Sequence, residues 1–163
     1  MGDLGKLPMN IRAAISGRGI ECKIHEHKEF LMEIVSPQDF ATALGYPVQR
    51  ITKTLFLRSD DAQVYAVAVC SINRRLNFKS VADAVGLRCV EMASPEELHA
   101  KTGYPRNGVS PLGLAGDITV VMDSSLFDYP TVLIGGGISA IEIEISPAGL
   151  ENISRAKVRN ITA

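Results

Sequence analysis

The chain has 163 residues, of which 46% are hydrophobic and 21% charged, and its net charge is −1. These values suit a soluble globular domain large enough to bury a core without staples. They exclude a protein that coats DNA or RNA through bulk charge, while leaving room for a local basic patch. Cys22, Cys70 and Cys89 are odd in number and form no CxxC pair. That pattern favours free thiols in a reducing compartment over a disulfide framework or a zinc site. No signal peptide opens the sequence and no apolar run approaches a membrane span. The expectation is a single domain over residues 1–163, in the cytoplasm, with no membrane and no DNA as partner.

In chain order, Asn10 to Gly19 reads as a helix with Ile11, Ala14 and Ile15 on one face, followed by a short strand from Ile20 to His25. His25-Glu26-His27 lacks a third ligand at zinc-site spacing, so no metal is expected there. Ser36-Pro37-Gln38-Asp39 carries the N-cap, first-turn proline and early acid of a helix start, and Gly45 stops that helix. Ile51 to Arg58 reads as a strand; Asp60 to Gln63 turns it into Val64 to Cys70, which is apolar on both faces and so buried. Asn77 caps a helix that Gly86 ends, and Leu87 to Glu91 is a short strand. Ser94-Pro95-Glu96-Glu97 is a capping box that opens a helix ending near Gly103. Ile118 to Met122 and Thr131 to Ile134 are buried strands, and Ile141 to Ile145 alternates as a half-buried one. Ser146-Pro147 caps a last helix, and Lys157 to Thr162 is a closing strand. Six or seven short strands and four or five helices, joined through hairpins rather than βαβ units, make an α+β fold.

Two features ask for a reason beyond folding. Alternation places Lys53 in one row with Ile51, Leu55 and Leu57. An ammonium there either snorkels to water or meets something anionic. Glycine is also concentrated in two loops, Gly103 to Gly113 and Gly135-Gly136-Gly137. Such runs serve either tight corners or close approach of backbone to a ligand. No Gly-Lys-Ser/Thr occurs, so neither loop is a P-loop, and no serine–histidine–acid set accompanies them.

Lys53-Thr54-Leu55, Thr102-Gly103-Tyr104, Gly108-Val109-Ser110-Pro111-Leu112-Gly113, Gly135-Gly136-Gly137 and Ile141-Glu142-Ile143-Glu144-Ile145 occur in that order. In this the chain resembles the YbaK/prolyl-tRNA-synthetase-associated editing-domain family from about Ile20 onward. The resemblance implies a mostly antiparallel, barrel-like sheet surrounded by helices. It also implies a free-standing hydrolase that removes a small, wrongly attached amino acid from aminoacyl-tRNA, typically tRNA for proline. Its implied partners are the aminoacyl-tRNA acceptor end and prolyl-tRNA synthetase, with no cofactor.

Carried over, Lys53 is similar to the family's essential lysine, and the loop around Gly108 to the one whose backbone surrounds the scissile ester. Thr54, Asn107, Val109, Ser110, Pro111 and the wall Gly135, Gly136 and Gly137 join them as substrate-binding positions. His25 falls near a pocket position of relatives. Relatives often carry glycine at Asn107 and serine at Gly135. The second difference predicts extra pocket volume and a broader range of small amino acids, narrowed by Gly135→Ser. Arg74, Arg75, Lys79, Lys101 and Arg106 are candidates for holding the acceptor stem.

An aminoacyl ester is already activated, so its hydrolysis needs placed water and charge stabilisation more than a protein nucleophile. The alternatives are a non-catalytic relative that binds aminoacyl-tRNA or a protein, and an unrelated lysine enzyme working through a Schiff base.

Overall fold

The computed structural model describes residues 4–163, so the first three positions of the expected 1–163 domain lie outside it. Its centre is the hairpin of β2 (Thr52–Ser59) and β3 (Tyr65–Ser71), in antiparallel register with Lys53 opposite Cys70 and Leu57 opposite Ala66. β3 is apolar on both faces because it has sheet neighbours on both edges and core on both sides. Phe56, Val67 and Val69 face one cluster; Leu57, Ala68 and Cys70 face another, under Val81 and Ala82 of α3 (Phe78–Val85).

β4 (Val90–Met92) adds to β2, while β5 (Thr119–Asp123) and β8 (Lys157–Arg159) extend the sheet beyond β3 in the order β4-β2-β3-β5-β8. A second sheet holds β1 (Cys22–Glu26), β7 (Ile141–Ile145) and β6 (Val132–Gly135), in the order β1-β7-β6. Val132, Ile134, Ile143 and Ile145 of this sheet enter the larger core with Val120 and Met122 of the first. Its other face lies under α2 (Pro37–Leu44), where Phe40 and Ala41 pack with Ile51 and Leu133. The sheets meet where Ile51 bridges Leu133 and the Thr52 hydroxyl donates to the Leu133 carbonyl at 2.7 Å.

Helix punctuation follows the sequence closely. Ser36 accepts from the Asp39 amide, Asn77 from the Ser80 amide, and Ser94 with Glu97 forms the reciprocal capping box of α4 (Pro95–Thr102). Gly45, Gly86 and Gly103 stop their helices in the left-handed conformation. Ser146 caps α5 (Pro147–Ser154), and α1 (Met9–Ile15) is shorter than its sequence pattern because it ends at Ser16 in extended backbone.

The α+β class stands, with antiparallel pairs in the majority, but the sheets do not close as a barrel. The hairpin-only topology is corrected too. β5 runs parallel to both β3 and β8, so helix-containing crossovers build that side. None of the described helices is long and apolar enough to cross a membrane.

Candidate active site

A cavity of about 600 Å3 opens at the seam between the two sheets. Ile51 to Leu55 enter it from the first sheet, Gly135, Ile141 and Glu142 from the second, and Ile34 to Pro37 with Phe40 from the approach to α2. Lys53 stands on its wall, half-buried, in the row it shares with Leu55 and Leu57. No hydrogen bond or ion pair engages its ammonium among the described residues. A cation held by a strand beside apolar neighbours, with no protein partner, is available to an anionic or electron-rich group of a ligand.

The two glycine-rich loops pack backbone against backbone to form another wall. A Cβ on Gly135 would stand 1.9 Å from the Val109 carbonyl oxygen, and one on Gly108 would stand 2.7 Å from the Ile138 carbonyl carbon. Only glycine lets these loops approach so closely. Asn107 ties them further, its amide donating to the Ser139 hydroxyl at 2.9 Å.

Of the residues expected at the site, Lys53, Thr54, Asn107, Gly108, Val109 and Gly135 line the cavity. Five others stand behind it. His25 turns to Glu144 instead. Ser110 is fully buried and its hydroxyl accepts from the Leu112 amide. Pro111 is buried, and Gly136 is spent on a backbone bond to Ile141. Gly137 faces Ile11, Pro8 and Tyr104. The volume expected at Gly135 is absent as well, because the Val109 carbonyl fills it.

Sequence reasoning missed a histidine–carboxylate pair on the cavity wall. His27, just past β1, lies with its Nε2 2.6 Å from Glu142 Oε2. Burial pushes the Glu142 carboxyl up from its ordinary 4.5, and the His27 contact only partly offsets that. Two positions along β7, Glu144 is 7% exposed and accepts from the Tyr46 hydroxyl at 2.8 Å and the Thr131 hydroxyl at 2.5 Å. It also pairs with His25 at 2.8 Å and Arg50 at 3.4 Å. Burial would raise its carboxyl, but hydrogen bonds from Thr131, His25 and Tyr46 outweigh burial and hold it below 4.5. The alternation Ile141-Glu142-Ile143-Glu144-Ile145 was the available signal, since it sets both acids on one face.

Comparison with known proteins decides the family. The model of the aminoacyl-tRNA editing domain matches residues 32–153. The chain belongs to this family. A relative of like size comes from Enterococcus faecalis and is provisionally named a Cys-tRNA(Pro)/Cys-tRNA(Cys) deacylase, EbsC. It is 30% identical over 128 residues, covering 78% of this chain and 77% of the relative. A proline–tRNA ligase of Sulfurihydrogenibium is 32% identical over 108 residues, which are 66% of this chain but 18% of the ligase. A crystal structure provisionally described as a trans-editing enzyme for prolyl-tRNA synthetase superposes with a TM-score of 0.80 at 24% identity, covering 94% of this chain and 95% of that one. At that identity the likeness shows the fold. Within the editing-domain fold, the cavity at the sheet seam gathers the residues whose chemistry packing does not consume.

Proposed function

We propose that this editing-domain protein is an aminoacyl-tRNA deacylase. In this reading it acts in trans as one editing unit and removes a small, wrongly attached amino acid, with tRNA for proline as carrier. One observation carries the reading: a lysine with no hydrogen-bond or ion-pair partner among the described residues and a histidine–glutamate pair, held by two different sheets, line one cavity walled by closely packed backbone. The names of the similar deacylase and of the proline–tRNA ligase support the choice of carrier.

The roles follow from charge. The ester carbon is attacked by water, the bond to the ribose oxygen breaks, and that oxygen takes up a proton. Glu142, with its carboxyl raised by burial, is suited to accept a proton from the attacking water, and His27 fixes its orientation. Lys53 supplies positive charge where the oxyanion develops, on the wall of the cavity. Ile34, Phe40 and Ile51 give the aminoacyl side chain an apolar surround, with the packed loops limiting its size.

Deacylation of tRNA charged with alanine, cysteine, serine, threonine and proline tests this reading. The wild type is expected to clear at least one non-cognate ester. Lys53→Ala is expected to lose roughly 100-fold or more in kcat/KM while melting like the wild type. No turnover on any ester, or unchanged turnover in a folded Lys53→Ala variant, refutes it.

A further inference from the structure

A second groove, of about 410 Å3, runs out of the cavity and shares Lys53, Leu55 and Ile72 with it. Beyond that shared floor it is built by the turn after β3 and the first residue of α3. There Arg74 and Arg75 are exposed, and the Phe78 ring is 40% exposed. Among the described residues, no acidic one lines it. Arg50, Arg58 and Arg88 each meet a carboxylate. Among the described residues Arg74 and Arg75 meet none, and Arg74 reaches only the Thr162 hydroxyl at 3.3 Å.

The turn is held firmly. The Arg74 amide donates to Ser71, the Ala163 amide to the Arg75 carbonyl at 2.9 Å, and the Asn77 amide to Ile161 at 2.7 Å. Leu76 bridges Thr162 as well, so the end of the chain splints the loop that carries both guanidinium groups. Three cations and an exposed aromatic ring along one groove, with no acid among its described residues, fit a strand of linked phosphates and flat bases.

We infer that this groove binds the unpaired 3′ end of the tRNA, with Arg74 and Arg75 on its phosphates and Phe78 stacked on a base. The inference rests on the reading of the cavity as the ester's site. With the charged terminal adenosine at the cavity, the preceding nucleotides leave along the groove that is continuous with it. Lys53 then marks the junction between the reacting group and the strand that carries it. Lys79, which pairs with Asp83, and Lys101, which lies over the Tyr65 ring, take no part.

The test is direct binding of a 5′-fluorescein-labelled single-stranded RNA hexamer ending in CCA, followed by anisotropy from low to moderate salt. Wild type is expected to bind with a clear salt slope. The double variant Arg74→Gln/Arg75→Gln is expected to bind at least about tenfold more weakly and to flatten the slope of log K against log salt by about 1.4, near 0.7 per lost phosphate contact. Phe78→Ala is expected to lose about fivefold or more with the slope unchanged, since stacking carries no counterion term. Absence of RNA binding, or variants that bind as wild type does, overturns the inference. So does an acidic peptide of equal charge that binds as tightly and with the same dependence on Phe78. Hydrolysis is not read here, so a wild type that binds the hexamer yet clears no mischarged tRNA counts against the proposed function alone.

Discussion

Two histidine–glutamate pairs stand side by side on one face of β1 and β7, and their surroundings make them opposites. His25–Glu144 is enclosed, and Glu144 also takes Tyr46, Thr131 and Arg50, so one carboxylate ties β1, the residue before β6, the exit of α2 and the turn before β2 together. Arg50 adds to the tie by donating from Nε to the Thr131 carbonyl at 2.9 Å and lying 3.6 Å over the Tyr46 ring. Among the described residues Glu142 has one hydrogen-bond partner, His27; it faces the cavity and carries a carboxyl that burial has made more basic. In the proposed reaction, the same residue types two positions apart serve as an anchor and as a reagent. What separates them is the number of donors the fold supplies. A carboxylate saturated with donors is a poor base, whereas one buried with few donors keeps capacity for a proton.

Replacing each acid should break the comparison in a different observable. Glu142→Gln is expected to lower kcat/KM for deacylation by about 100- to 10,000-fold, the range for a lost general base, with no loss of melting temperature. A folded variant with near-wild-type turnover would remove Glu142 from the chemistry. Glu144→Ala leaves the Arg50 charge, only 12% exposed, without its carboxylate. The expected cost is ~3–5 kcal/mol, or about 6–20 °C of Tm in a chain of this length. Calorimetry showing a loss below ~1 kcal/mol would mean that the cluster is incidental to stability.

The loops give a smaller effect that sharpens the same contrast between scaffold and site. Gly108→Ala and Gly135→Ser each push a side-chain atom into opposing backbone and are expected to destabilise by about 1–3 kcal/mol. Because the wall itself shifts, turnover should fall on every aminoacyl ester alike rather than narrow to a few. Gly116→Ala, where a Cβ meets nothing within 4 Å, is the control and should be nearly neutral. A Gly135→Ser variant with wild-type stability and a narrowed substrate range would restore the original expectation of spare volume there.

Legibility from sequence divides along the same line. Helix starts and stops were readable because capping is local: Ser94 with Glu97, or Ser36 with Asp39, satisfies amides three residues away. Lys53 was readable because a strand's period of two puts it in an apolar row. The His27–Glu142 pair was not readable, since it joins residues 115 apart through a sheet register that no local pattern encodes. The alternation of Ile141 to Ile145 suggested a half-buried strand, yet α2 covers the polar row, and Glu144 is enclosed there by donors from four segments. Family resemblance located both glycine loops but could not say which residues face the cavity and which hold it from behind, as the positions of Ser110, Pro111 and Gly137 show.

The smallest expected effect is the pH dependence of stability, and here the two acids must differ in sign. Glu144 is depressed in the fold, so the stability it contributes is present above its unfolded value of 4.5 and is lost as pH falls through the lower folded value. Glu142 is raised, so its contribution is fully present below 4.5 and is lost as pH rises through the higher folded value. Subtracting the wild-type melting curve from each glutamine variant isolates these contributions. Glu144→Gln should lie furthest below wild type at neutral pH and converge on it in acid. Glu142→Gln should sit at or above wild type at neutral pH, with the advantage fading as pH falls toward 4.5 and the wild-type carboxyl takes up its proton. Both differences are read from thermal melts across pH 3 to 7 in one buffer series at fixed ionic strength. Two difference curves that slope the same way would show that the fold treats the two carboxylates alike, and the division between anchor and reagent would fall with that result.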